Sequence, residues 1–247
     1  MSVKKPRILD ITPLLRNRIF RFFMRLTIII IIVLVAAGIT LRTPKVQNYL
    51  ASKVISKIEE NTGIQISLSK VSINWFDRVS LENINIYDSH DSLLIGVEKA
   101  VVNYSISDLF FRDAIVIDDG YVSGATVNLI RYSPSEEINI NDFVNRTRGD
   151  TTKESNAKPI VFKQIKLENS SFLLHMRYRD SIQGFDHNHF HLQEIDANLR
   201  DMTIVGDTFS VDIRDLYCKE KGSGMMLTSL KTKFMTSREK MAFENTR

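Results

Sequence analysis

A single cysteine, Cys218, is present among 247 residues. A lone thiol forms no internal disulfide, and no CxxC pair exists to hold a metal or run a redox cycle. Glycine-rich phosphate loops are absent, as is βαβ spacing, which argues against nucleotide-binding folds. Asp118-Asp119 and Glu136-Glu137 are adjacent carboxylates, but neighbours on a strand face opposite sides, so they read as turn and loop acids rather than an acid/base pair. His187, His189 and His191 point the same way on a strand, about 7 Å apart. At that spacing they do not share one ion without bending, and a solvated strand start explains them better than a zinc or copper site. Cys218, beside Lys219 and with no histidine near it in sequence, reads as a small packing residue. No catalytic constellation emerges; the chain reads as a non-enzyme without cofactor or metal.

Charge is also sparse where a nucleic-acid partner would need it. The formal net charge is +4. Lys4, Lys5, Arg7, Arg16, Arg18, Arg21 and Arg25 face one acid, Asp10, in the first 25 residues. That tail alone carries +6, so the remainder is at −2. The basic character belongs to one end, and the rest has no excess charge for phosphates.

What the chain does have is an apolar run. Residues 26–41, LTIIIIIVLVAAGITL, carry no charge. Sixteen helical residues span roughly 24 Å, short of the ~30 Å hydrocarbon core. Residues 19–24 add Ile19, Phe20, Phe22, Phe23 and Met24, with Arg21 and Arg25 snorkelling to headgroups. The run reads as an uncleaved anchor, the competing reading being a signal peptide cleaved near Ala36-Ala37-Gly38. Seven cations before it, against Arg42 and Lys45 after it, place residues 1–25 in the cytoplasm and the bulk of the chain across the membrane.

Thr43 as N-cap and Pro44 at the first turn open an amphipathic helix over 43–62, closed by Gly63. Val46, Tyr49, Leu50, Val54, Ile55 and Ile58 recur at helical spacing; Lys45, Lys53, Lys57, Glu59 and Glu60 lie mostly elsewhere on the wheel. Its apolar stripe is expected to cap the open end of a sheet, the other reading being a helix lying on the bilayer.

From Gly63 the period becomes two. Ile64, Ile66 and Leu68 alternate with polar residues, and Val71, Ile73 and Trp75 continue in the opposite phase, as after a turn or bulge. Val79, Leu81, Ile84 and Ile86 form the next strand. Further strands are expected at 93–106, 113–118, 121–132, 160–168, 171–179, 190–199, 202–205 and 208–216. A helical turn is expected at 107–111 and a polar loop at 146–158. Leu81-Glu82-Asn83 and Leu167-Glu168-Asn169 repeat at strand ends, and 115–120 holds a comparable place. Repeated strand–turn–strand units with one apolar face suggest an extended sheet, half buried and half wet.

The succession of the apolar run, TPKVQNYLASKVISKIEENTGIQISLSKVSINWFDRVSLENINIYD and SLLIGVEKAVVNYSISDLFFRDAIVIDDGYVSGATVNLIR resembles the N-terminal part of TamB-like proteins. These are translocation and assembly module proteins of the wider AsmA-like group, here similar to the Bacteroidetes-type form. The likeness covers roughly residues 26–235. Its elements are the helix ending at Asn61-Thr62-Gly63, the strand 71–75, Leu81-Glu82-Asn83, Gly120 with the strand ending at Arg131, and EKGSGMMLTSL from Glu220. The resemblance implies an inner-membrane anchor and a mainly β periplasmic domain, 63–247. That domain would be a long curled sheet forming a groove with an apolar concave face. It implies outer-membrane biogenesis, by shielding or moving phospholipid between membranes. The alternative is a non-transporting assembly factor that holds an outer-membrane barrel protein. The partners it implies are phospholipid acyl chains and the inner membrane, with no nucleic acid. The groove residues are then Ile64, Ile66, Leu68, Val71, Ile73, Trp75, Val79, Leu81, Val102 and Val127. Family members are commonly much longer, so the chain is expected to be incomplete at its C-terminus.

Overall fold

The computed structural model describes residues 28–30, 32, 40–74, 77–147, 158–206, 208–237 and 240–247. The chain divides into two units, Met1–Val46 and Gln47–Arg247. In the first, the described residues of the apolar run are helical and exposed. Most of the expected anchor over 26–41, like Trp75 and most of the expected loop at 146–158, lies outside the described residues. Among the described residues no helix is long and apolar enough to cross a membrane.

Helix α1 spans Pro44–Thr62. Pro44 opens it as expected, since proline's missing N–H costs nothing in a first turn. The Thr43 hydroxyl, however, donates backward to the Thr40 carbonyl (2.7 Å) instead of capping α1. Gly63, at φ 65°, stops the helix, with its N–H on the Glu59 carbonyl at 2.7 Å. The left-handed conformation there suits a residue without Cβ.

Among the described residues the second unit is built on one ten-stranded sheet: β1 (Ile66–Asn74), β2 (Arg78–Tyr87), β3 (Leu93–Tyr104), β4 (Ile115–Arg131), β5 (Ile160–Met176), β6 (His189–Val205), β7 (Thr208–Glu220), β8 (Met226–Leu227), β9 (Thr232–Thr236) and β10 (Met241–Glu244). The strands lie in the order β1-β2-β3-β4-β5-β6-β7-β9-β10, with β8 on β7, and no pairing closes β10 onto β1 among the described residues. The alternation of apolar and polar residues fits a sheet with one apolar and one wet face. Helix α2 (Ile106–Phe111) falls where the helical turn was expected.

Three expectations require correction. First, the separate strands expected on either side of 118–121, 168–171 and 199–202 are single strands of 17 residues each. The turn-forming residues Asn169 (φ 46°) and Asp201 (φ 48°) kink the strand in the left-handed region without ending it; asparagine and aspartate tolerate that region better than most residues. Second, a β–α–β connection does exist. Strands β4 and β5 pair in parallel, and a parallel pair needs a crossover between them. It contains helix α3 (Asn139–Thr147), a short segment of weak helix formers whose Ile140, Phe143 and Val144 nevertheless recur at helical spacing. Third, α1 does not use its apolar stripe to cap an end of the sheet. It runs along the outer edge of β1 and bonds to it through polar side chains; of the stripe, Ile55 is half-buried among them and Leu50, Val54 and Ile58 are exposed.

Those contacts are specific. The Gln47 amide donates to the Ile73 carbonyl (2.8 Å) and accepts from the Ile73 N–H (2.9 Å). Asn48 accepts from the Val71 N–H (3.1 Å) and Glu59 from the Ile66 N–H (2.8 Å). An edge strand leaves alternate backbone groups unpaired; here a helix supplies the missing ladder. The end of the first four strands is spanned by α3. Asn139 accepts from the Ile130 N–H (3.0 Å) and donates to Asp88 (2.8 Å), while Arg146 donates to the Gly63 carbonyl (3.3 Å). Burial opposes the Asp88 charge, but bonds from Asn139, Tyr132 and the amides of Ser92 and His90 hold its carboxyl below the ordinary range.

Candidate functional site: an apolar sheet face

Laterally paired residues in a sheet share a face. Ile66, Ile86, Ile95, Val127, Phe172 and Leu192 stand side by side from β1 to β6. Farther along the strands, Val71, Leu81, Ala100, Val122, Leu167, Ala197 and Leu216 form a second row, reaching β7. Ile73, Val79, Val102, Gly120, Ile165, Leu199 and Ile213 form a third. The opposite rows are polar: Lys70, Glu82, Lys99, Ser123 and Glu168 are one, with Lys70 on Glu82 at 2.8 Å.

A crease joins the apolar rows. Exposure on β1 alternates in one phase up to Leu68 and in the other from Val71, with Ser69 and Lys70 both exposed. This is the phase change expected from the sequence. On the neighbouring strands, left-handed residues stand along the same line: Asn83 (φ 52°), Gly124 (φ 62°), Asn169 (φ 46°) and Glu194 (φ 52°). The β5–β6 and β6–β7 registers shift there. Such residues re-aim the side chains that follow, so the apolar set continues on one face. The repeated Leu-Glu-Asn therefore marks a kink inside each strand and not a strand end. The comparison with 115–120 fails, because β4 makes its kink at Gly124.

Among the described residues no second layer packs on these rows. Extensive contacts join each strand only to its hydrogen-bonded neighbours, and α2 and α3 touch β4. Leu94 is the one fully enclosed large side chain among the described residues. Of the expected groove residues, Ile64 and Val71 are buried, at 4% and 5% exposure. Ile66, Leu68, Ile73, Val79, Leu81, Val102 and Val127 are half-buried, and Trp75 is outside the described residues. Sequence reasoning missed the continuation of the rows through Val122, Leu167, Phe172, Leu192 and Leu199, although the alternation in β5 and β6 carried the signal. It also missed the edge cap by Gln47, Asn48 and Glu59, which no sequence period encodes.

The polar candidates are structural. His189 sits between two acceptors, Asp186 (2.9 Å) and the Met176 carbonyl (3.2 Å). The Ile182 N–H and His189 hold the Asp186 carboxyl well below its ordinary range. Burial opposes the Glu220 charge, but the Ser223 hydroxyl and the amides of Ser223, Gly222 and His191 hold it at about 2; it fastens the turn after β7. His187 precedes β6 and is exposed. Burial pushes the Cys218 thiol up, away from nucleophilic use. Among the described residues no three His, Cys, Asp or Glu side chains are arranged to hold a metal.

What this arrangement can do is present apolar surface to a partner. Each CH₂ removed from water is worth roughly 0.8 kcal/mol. No curated protein matches the chain. The model of the TP_0324_N family matches residues 45–204, from α1 through nearly all of β6, and so includes the crease and most of the apolar rows. The chain belongs to the TP_0324_N family of N-terminal domains.

Proposed function

We propose that the chain is a membrane-anchored, non-catalytic module whose apolar sheet face shields phospholipid acyl chains from water. One observation carries this: three laterally continuous apolar rows cross six or seven strands, and among the described residues no second layer is packed over them. An apolar surface larger than a few hundred Å² calls for a partner. The sequence supplies the setting, with the uncharged run at 26–41 and seven cations before it. On this reading the resemblance to TamB-like proteins extends to role, in the inner membrane and in traffic of lipid toward the outer one.

The test compares phospholipid bound to the detergent-solubilised full chain with that bound to a Leu81→Asn, Val102→Asn, Val122→Asn variant. Lipid around the anchor is common to both and cancels. The reading expects less lipid per chain on a folded variant, and equal amounts defeat it. A second reading, an assembly factor that holds an outer-membrane protein by strand addition, is favoured by β10. Its Met241 and Phe243 are exposed. A photo-crosslinker at Met241 or Phe243 would then give protein adducts.

A further inference from the structure

The orientation of α1 leaves one flank unused. Gln47, Asn48 and Glu59 turn toward β1. Leu50, Val54 and Ile58 recur every four residues and are 38%, 60% and 39% exposed. At 3.6 residues per turn their stripe is centred about 90° from the sheet-facing side. Lys53 and Lys57 border that stripe on its far side, both exposed. Of the two acids that follow, Glu59 is committed to the Ile66 N–H, and exposed Glu60 offsets one of the two charges. A solvated helix would place polar residues along such a flank, and a helix docked by its apolar face would bury it; this one does neither.

We propose that the Leu50–Val54–Ile58 flank of α1 lies on the surface of an anionic bilayer, with Lys53 and Lys57 among the headgroups. Two observations select this occupant. Only two residues separate the end of the apolar run at Leu41 from the start of α1 at Pro44, and three residue steps reach at most about 11 Å. If the run spans the membrane, α1 begins at its surface. The net charge bordering the stripe is positive, with Lys53 and Lys57 against Glu60, and complementary to anionic lipid. The inference rests on the anchor in the function proposed above, and not on the lipid-bound sheet.

The experiment uses the full chain with buried Cys218 left in place. A single nitroxide is placed at Val54, at Ser56 on the far side of α1, or at Ile32 in the apolar run. Each labelled chain is reconstituted in phosphatidylcholine vesicles with and without phosphatidylglycerol. Collision with oxygen and with a water-soluble nickel chelate then reports depth. The expected result is severalfold higher oxygen-to-nickel accessibility at Val54 than at Ser56. The difference shrinks without phosphatidylglycerol or in a Lys53→Glu, Lys57→Glu variant. Val54 as open to nickel as Ser56, or a Val54 label broadened by a second copy of the chain, overturns the proposal. Ile32 separates the two failures: in the bilayer with Val54 in water, only this inference falls, and if both are in water the anchor falls with it. With Ile32 in water and Val54 at depth, the anchor falls and the docking of α1 stands.

Discussion

Replacing Gln47 with alanine removes the donor and the acceptor that close the backbone of the β1 edge at Ile73. Gln47 is 4% exposed, and its two bonds are 2.8 and 2.9 Å long. A hydrogen bond contributes about 0.5–1.5 kcal/mol net, and an orphaned buried partner costs about 1–3 kcal/mol. Water can reach part of an uncovered edge, so we expect a loss of about 2–3 kcal/mol for Gln47→Ala and about 1 kcal/mol for Asn48→Ala, which carries a single bond. Denaturant unfolding of the full chain reads the global loss. Amide exchange reads the local one, with the Ile73 N–H exchanging at least about tenfold faster, since 1.4 kcal/mol is a factor of ten. The internal control is the apolar flank: Val54→Ser should change stability by under about 0.5 kcal/mol, as at a surface position. If Val54→Ser costs more than Gln47→Ala, or Ile73 exchange is unmoved, α1 is held by its apolar stripe and the polar edge cap is wrong.

Gly124→Ala should cost about 1–3 kcal/mol in thermal unfolding, because the position sits at φ +62° and an added Cβ runs into the Glu98 side chain; no loss would refute the crease at that strand. Acid should loosen the turn after β7 and the Asp186 loop. Both carboxyls are depressed in the fold, so their contribution is complete above the unfolded value, near 4.5 for Glu220, and is lost as pH falls toward about 2. Glu220→Gln should flatten that part of the stability curve, and an unchanged curve would contradict the assignment. A periplasm-dependent reporter fused after residue 60 should be active and a cytoplasm-dependent one silent; the reverse, or a mature chain beginning near Ile39, removes the uncleaved anchor.

The period-two alternation made the strands and their inward residues legible, because burial on one face leaves its mark at every second position. Even the phase slip between Leu68 and Val71 was readable. The continuity of β4, β5 and β6 was not, since Asn169 and Asp201 are residues that end strands as readily as they kink them. The crossover helix α3 is short and of weak propensity, so the helical spacing of Ile140, Phe143 and Val144 went unread, and its hold depends on Asn139 reaching Ile130 and Asp88. The stripe on α1 was legible but its direction was not. Leu50, Val54 and Ile58 have the spacing of a buried face, yet the edge of β1 needed hydrogen-bonding groups, and Gln47, Asn48 and Glu59 turned the helix to provide them. Lateral pairing, which converts separate strands into continuous apolar rows, is fixed by register and has no local signature.

The central claim is that one face of the sheet contacts acyl chains, and photo-crosslinking in cells tests it most directly. Val102 lies in the row between Val79 and Gly120, and Val127 between Ile95 and Phe172. Asn103 lies on the other face, between Arg78 and Asp119, and accepts from Arg78 at 2.9 Å. A photo-reactive residue at Val102 or Val127 should capture phospholipid, and one at Asn103 should not. Equal capture on both faces, or none on either, would contradict the account.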